Sequence, residues 1–205
     1  MSDHITFDPD RLEAVDRYKL LSGLIVPRPI GWVGTRDASG VPNLAPYSFF
    51  NLVVGTPPTV LFCPGRHGRI KDTLANARET GEFTLSVVTE DTVEAMNATS
   101  GEYPPEVDEF EVAGVTPVPG DVVRAPLVGE AAAALECVVT QIVDVGTPST
   151  AAVVFGHVVR IHASPRILDG TRIDHDALRA VGRMAGDGYV RTTDRFSLPR
   201  PAVEG

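Results

Sequence analysis

Alternating apolar and polar positions give the clearest local signal. In residues 83–88, Phe83, Leu85 and Val87 share one side while Thr84 and Ser86 share the other, which is strand period. Leu135, Cys137 and Val139 likewise share a face. Val153, Phe155, His157, Val159 and Ile161 do so in a second long strand, with Gly156 inside it and 146–149 as the hairpin connection. Residues 30–35 read as a buried strand. Its glycines, Gly31 and Gly34, predict a close approach by another backbone or a ligand. A turn at 37–40 leads into a returning strand, 41–47. Pro42 and Pro46 make that strand an edge or bulged one, since proline donates no ladder bond. Residues 59–63 read as a further short strand.

Helical pattern is sparser. A short helix is expected over 11–21, and another over 72–80, capped by Asp72 or Thr73 and ended by Gly81. Two more are expected over 91–98 and over 173–184, the last capped by Asp174. Residues 99–121 are rich in proline, glycine and acid and read as one long connection. Many short strands with hairpin signals predict a mainly β fold, a β-barrel with helical additions. Neither an internal repeat nor a domain-scale linker is visible. The expectation is a single domain over 1–205, with a lead-in at 1–20 and an irregular tail at 186–205.

A chain of 205 residues buries roughly 70% of its unfolded surface and needs no staples. Apolar content of 43% and charged content of 22% are those of an ordinary globule. A net charge of −9 argues against nucleic acid or an anionic membrane as partner, because both reward a basic face. No apolar run is long enough to span a bilayer, and 1–10 lacks signal-peptide architecture, so a cytoplasmic location is expected. Cys63 and Cys137 lie in apolar stretches outside any CxxC pattern, which predicts free buried thiols and no metal centre.

The chemistry concentrates in residues 28–73. Aromatics, hydroxyls and two amides in 43–51 are followed by a cationic cluster, Arg69 and Lys71 with Asp72 and Thr73. Lysine occurs only twice, at Lys19 and Lys71, so an ammonium beside a helix start stands out. A helix N-terminus, a cation and a hydroxyl suit a phosphate, with Arg69 or Arg66 as a bidentate fork. Asp72 would repel a phosphate, so its expected role is capping or orienting Lys71. His67 is near the cluster and reads as a surface-loop histidine. Around the bend at Pro46, the backbone N–H groups of Tyr47, Ser48 and Phe49, with the side chains of Ser48 and Asn51, can serve the polar edge of a flat ring. Together these needs are those of a flavin carrying a phosphate. A plain barrel strand with Tyr47, Phe49 and Phe50 in the core explains the same residues, and Trp32 reads as core. No GxSxG, HExxH, P-loop or GxGxxG pattern is present.

The ordered set Arg28-Pro-Ile-Gly-Trp-Val-Gly-Thr35, Pro42-Asn-Leu-Ala-Pro-Tyr-Ser-Phe-Phe-Asn51, Lys71-Asp-Thr73 and Thr80-Gly-Glu-Phe83 resembles the flavin reductase-like family with an FMN-binding split barrel. The resemblance is to the subgroup of flavoredoxins and reductase components of two-component monooxygenases. It continues through Met96-Asn-Ala-Thr-Ser-Gly101, Val107-Asp-Glu-Phe110, Ala113-Gly-Val-Thr116, Gly156-His-Val-Val159 and Arg183-Met-Ala-Gly186 with Tyr189. It implies a homodimer with FMN at or near the subunit interface. It implies that Ala45, Pro46, Tyr47, Ser48, Phe49 and Asn51 line the ring. It further implies that Arg69, Lys71, Asp72 and Thr73 meet the phosphate, with Thr35, Arg183 and Tyr189 nearby. Ala185 stands where many relatives have glycine.

The function expected from this is NAD(P)H-dependent reduction of FMN, with NADH or NADPH as co-substrate and a monooxygenase as a conceivable partner. Hydride passes to the flavin itself, so no catalytic side chain is assigned. Two alternatives stay open: an FMN-retaining electron-transfer protein, and a non-catalytic flavin- or haem-binding sensor.

Overall fold

The computed structural model describes residues 3–65, 69–146 and 148–202. After a 3₁₀ turn at Pro9–Arg11 comes helix α1 (Ala14–Leu24). Strands β1 (Gly31–Arg36), β2 (Pro42–Tyr47), β3 (Phe50–Gly55) and β4 (Pro58–Phe62) follow. Next are α2 (Asp72–Thr80), β5 (Glu82–Val87), α3 (Val93–Ala98), α4 (Glu109–Ala113) and the short pair β6 (Pro117–Val118) and β7 (Leu127–Val128). The long hairpin β8 (Ala133–Val145) and β9 (Ala151–Ala163) precedes β10 (Leu168–Asp169), β11 (Arg172–Ile173), α5 (His175–Leu178), β12 (Val181–Arg183) and β13 (Tyr189–Arg191).

Seven strands form one antiparallel sheet in the order β2-β1-β5-β8-β9-β4-β3. Its two edge strands, β2 and β3, are consecutive in sequence and separated only by the bend at Ser48 and Phe49. Two residues reach roughly 7 Å at about 3.5 Å each, so the sheet must curl until its first and last strands come side by side. They remain unpaired there, which leaves the barrel with an open seam at 46–50. Pro42 and Pro46 fit this place because an edge strand does not need their missing N–H groups.

Residues 31–35 of β1 are buried on both faces, which is why no polar residue interrupts the strand before Thr35. Val33 faces a cluster with Phe62, Leu74, Phe83, Cys137 and Val154. Trp32 faces a second cluster with Leu44, Met96, Phe110 and Val128, and its indole N–H donates to Thr99 Oγ1 at 2.9 Å. Trp32 is therefore core. A Cβ added at Gly34 would stand 2.4 Å from the Pro126 carbonyl oxygen, so the expected close approach is made by backbone. In β9 the core side is Ala152, Val154 and Gly156; the alternate side, with Val153 and Phe155, is only half-buried.

Several local expectations need correction. Residues 173–184 are not one helix. Asp174 does cap, accepting from the amides of Asp176 and Ala177, but α5 lasts four residues. Arg179 turns left-handed at φ 52°, and Val181 then donates to the Val88 carbonyl at 3.2 Å. Pairing across the fold outweighs local helix preference here. Residues 99–121 are not structureless: they contain α4, capped by Asp108 and closed by Gly114 at φ 64°, and then β6. Fully buried Phe110 anchors α4, which is too short to show a period. The 186–205 tail contains β13, paired to β12. The first helix spans Ala14–Leu24 rather than 11–21. Arg66 and His67 lie outside the described residues.

Candidate functional site

A small notch of about 100 Å³ lies between β2, the start of α2 and the 99–103 loop. Ala45, Pro46, Tyr47, Arg69, Lys71, Asp72 and Thr73 all line it, joined by Asn43, Glu102 and Glu109. A larger cleft of about 550 Å³ opens between α1, residues 46–48 and the β12–β13 arm. Ser48, Arg183 and Tyr189 line that one, together with Arg28, Asn97 and Asp187. Both are bounded by Pro46 and Ser100, so they are two ends of one groove along the barrel seam.

The notch is braced by amides. Asn43 Nδ2 donates to Thr73 Oγ1 at 2.9 Å and to Thr35 Oγ1 at 3.2 Å, and Asn76 Nδ2 donates to Thr35 Oγ1 at 3.1 Å. Thr35 is fully buried behind the wall. Its hydroxyl fixes both amides, which in turn fix the start of α2 against β2. Thr73 also meets the Tyr47 phenol, whose acidity burial suppresses well below that of an ordinary tyrosine. Tyr47 leans on Phe62 with ring centroids 5.1 Å apart. It belongs partly to the core and partly to the wall.

Lys71, not Asp72 or Thr73, occupies the cap position of α2, and its side chain makes no capping hydrogen bond. The leading N–H groups of the helix are thus left for another acceptor. Lys71 Nζ lies 3.2 Å from Glu102 Oε1, and Arg69 NH1 lies 2.9 Å from Asp72 Oδ1. Asp72 therefore orients Arg69 and not Lys71. The donor set fits a phosphate, but Glu102, 69% exposed, already sits on Lys71 and would have to swing away. Glu109 Oε2 accepts from the Leu44 amide at 3.1 Å, and burial raises its carboxyl above the usual range.

At the other end Arg183 packs on Tyr189, 4.6 Å from the ring centroid, and Tyr189 donates to Asn97 Oδ1 at 3.0 Å. Phe49 and Asn51 line neither hollow. Phe49 is 46% exposed at the bend, and Asn51 lies on exposed edge strand β3. Arg28, Asn97, Ser100, Glu102, Tyr103 and Glu109 are not among the site residues expected from sequence. Arg28, Asn97, Ser100 and Glu109 fall inside the motifs at 28–35, 96–101 and 107–110 that carry the resemblance, and nothing local marks Glu102 or Tyr103.

Asp121, Glu136 and His162 bring ligand atoms within 4.8 Å of one another. Glu136 accepts from the amides of Asp121, Val122 and Val123 and lies 2.7 Å from His162 Nε2. Its lone pairs are already committed, so the trio clamps a loop. Both cysteines are free; burial raises the Cys63 thiol and pushes Cys137 up to about 12, so neither is a ready nucleophile.

The sequence pattern of the flavin reductase like domain matches residues 22–177. The chain belongs to that family. An uncharacterized protein of Halalkalibacterium halodurans is 40% identical over 201 residues, covering 96% of each chain. Nitrilotriacetate monooxygenase component B from Bacillus cereus superimposes with a TM-score of 0.93 at 35% identity, over 95% of this chain and 98% of its own. A Shewanella frigidimarina protein with a split barrel domain superimposes at 0.84 and 23% identity, over 97% and 100%. That likeness identifies the seamed barrel as a split barrel. Among the described residues no helix is long and apolar enough to cross a membrane.

Proposed function

We propose that the protein binds FMN in the seam groove and works as an NAD(P)H-dependent flavin reductase over a single 1–205 domain. The observation that carries this is the continuity of the groove: one end offers an uncapped helix start with Lys71 and Arg69, and the other a wide cleft edged by Ser48, Arg183 and Tyr189. Bound FMN would supply the hydride acceptor. The chain's own part is to hold and orient. Lys71, Arg69 and the α2 amides, with Asp72 and Thr73 at their side, take the phosphate. Ala45, Pro46, Tyr47 and Ser48 form the wall for the ring. Thr35 supports that wall from behind, and the wider cleft leaves room for a nicotinamide to stack. No side chain has to give or take a proton for that transfer.

A homodimer is part of this proposal. Edge strand β3 exposes Leu52, Val53 and Val54, and α1 exposes Val15, Tyr18, Leu21 and Leu24. Such apolar area is ordinarily covered, and Phe49 and Asn51 would then meet the second copy or its flavin. The similarity to a monooxygenase component B supports a partner oxygenase as consumer of the reduced flavin. Steady-state oxidation of NADH and NADPH with added FMN tests the activity. Turnover with either supports the reading. FMN binding with oxidation of neither overturns the reductase assignment and leaves an electron-transfer protein.

A further inference from the structure

Arg28 is 6% exposed and lines the wide cleft, yet among the described residues it forms no ion pair. Its guanidinium donates to the carbonyls of Ser22 at 2.7 Å, Ile25 at 2.6 Å and Met184 at 2.9 Å, and to Ser48 Oγ at 3.3 Å. Phe49 lies beneath it, 5.6 Å to the ring centroid. Every acceptor is neutral. A guanidinium stays charged at any accessible pH, and burying a charge without a counter-ion is costly. The hydrogen bonds satisfy the donors but do not neutralise the charge. Around it the cleft has one carboxylate, Asp187, and a second arginine, Arg183, which is held by the Gly186 carbonyl and the Tyr189 ring. In a chain of net charge −9, this wall is positive.

Position adds to charge. Arg28 joins three distant segments: the end of α1, the seam bend at Ser48, and the β12 arm. Its backbone is also paired with Arg183, through Arg28 N to Arg183 O at 3.0 Å and the return bond at 2.8 Å.

We infer that Arg28 is a positioning residue whose uncompensated buried charge makes the cleft prefer the anionic, two-electron-reduced flavin over the neutral oxidised ring. This rests on the FMN reading above. The electron balance is simple: hydride from nicotinamide brings two electrons and one proton, so the ring gains one negative charge unless a further proton follows. A fixed cation in a water-poor wall favours that product.

The test is the reduction potential of FMN bound to the native protein, Arg28→Met and Arg28→Lys, with affinity for oxidised FMN measured alongside. Native protein that binds no FMN would refute the FMN reading itself. Given native binding, Arg28→Met is expected to lower the preference for reduced over oxidised FMN about tenfold, a fall of about 30 mV for a two-electron couple. An unchanged potential in a folded, FMN-binding Arg28→Met would overturn the inference. Should that variant not fold or not bind FMN, Arg28→Lys decides, because it keeps the charge and loses the fork. Preference within about threefold of native supports a charge effect; a loss of about tenfold there contradicts it.

Discussion

Lys71 Nζ stands 3.2 Å from Glu102 Oε1, so the one lysine at the groove is held by a carboxylate from the facing loop. A phosphate at the α2 start would compete with that carboxylate for the same ammonium. The two residues should therefore act in opposite directions. Lys71→Ala is expected to weaken FMN binding by about 1–3 kcal/mol, the scale of a charge-assisted hydrogen bond. Glu102→Gln is expected to tighten it. Fluorescence titration of both variants checks this; unchanged affinity in Lys71→Ala would remove Lys71 as a phosphate ligand.

The barrel interior makes an independent prediction. A Cβ at Gly156 would stand 2.4 Å from Phe83 Cζ and 3.1 Å from Cys137 Cβ, in the middle of the core cluster. The neighbour in the way is a fully buried ring. Gly156→Ala should cost about 1–3 kcal/mol through overpacking, read as a lower denaturation midpoint. Native-like stability would show that Phe83 has room to move.

Much of this architecture could be read from the chain. The strand signal at 83–88 corresponds to β5, and Gly81 ends α2 in the left-handed conformation that glycine favours. The turn at 37–40 and the edge strand with Pro42 and Pro46 also appear, because proline and glycine act locally. What stayed hidden depended on distant partners. The strand β12 exists through Val88 and Arg28, not through its own sequence. The Lys71–Glu102 pair spans 31 positions, and nothing near Glu102 signals it. Edge strand β3 is not predicted from sequence, because its apolar Leu52, Val53 and Val54 show no alternation, and most of the strand is exposed.

Acid should loosen the loop that Glu136 holds. Burial alone would raise this carboxyl, but the amide of Val123, then His162 and the amides of Asp121 and Val122, bring it down to about 2. Its folded value is thus below the unfolded 4.5. It stabilises the fold above that value, and the contribution is lost as pH falls from about 4.5 toward about 2. In Glu136→Gln, stability should be lower at neutral pH and its decline across that window shallower. Urea melts at several pH values check this; parallel curves for variant and native protein would contradict it.

The exposed apolar edge predicts an oligomer that a charge can break. Leu52→Asp on β3, where the residue is 62% exposed, should leave the fold intact and shift the protein from dimer to monomer. Sedimentation of native and variant protein reads the difference. A native protein that is already monomeric at high concentration would refute the proposed homodimer.

The most direct measurement is the visible spectrum of the purified protein titrated with FMN, followed by NADH or NADPH without oxygen. The expected result is a perturbed flavin band that saturates with protein and bleaches when the nicotinamide is added. A flavin spectrum that stays that of free FMN at saturating protein would contradict the proposal that the seam groove is a flavin site.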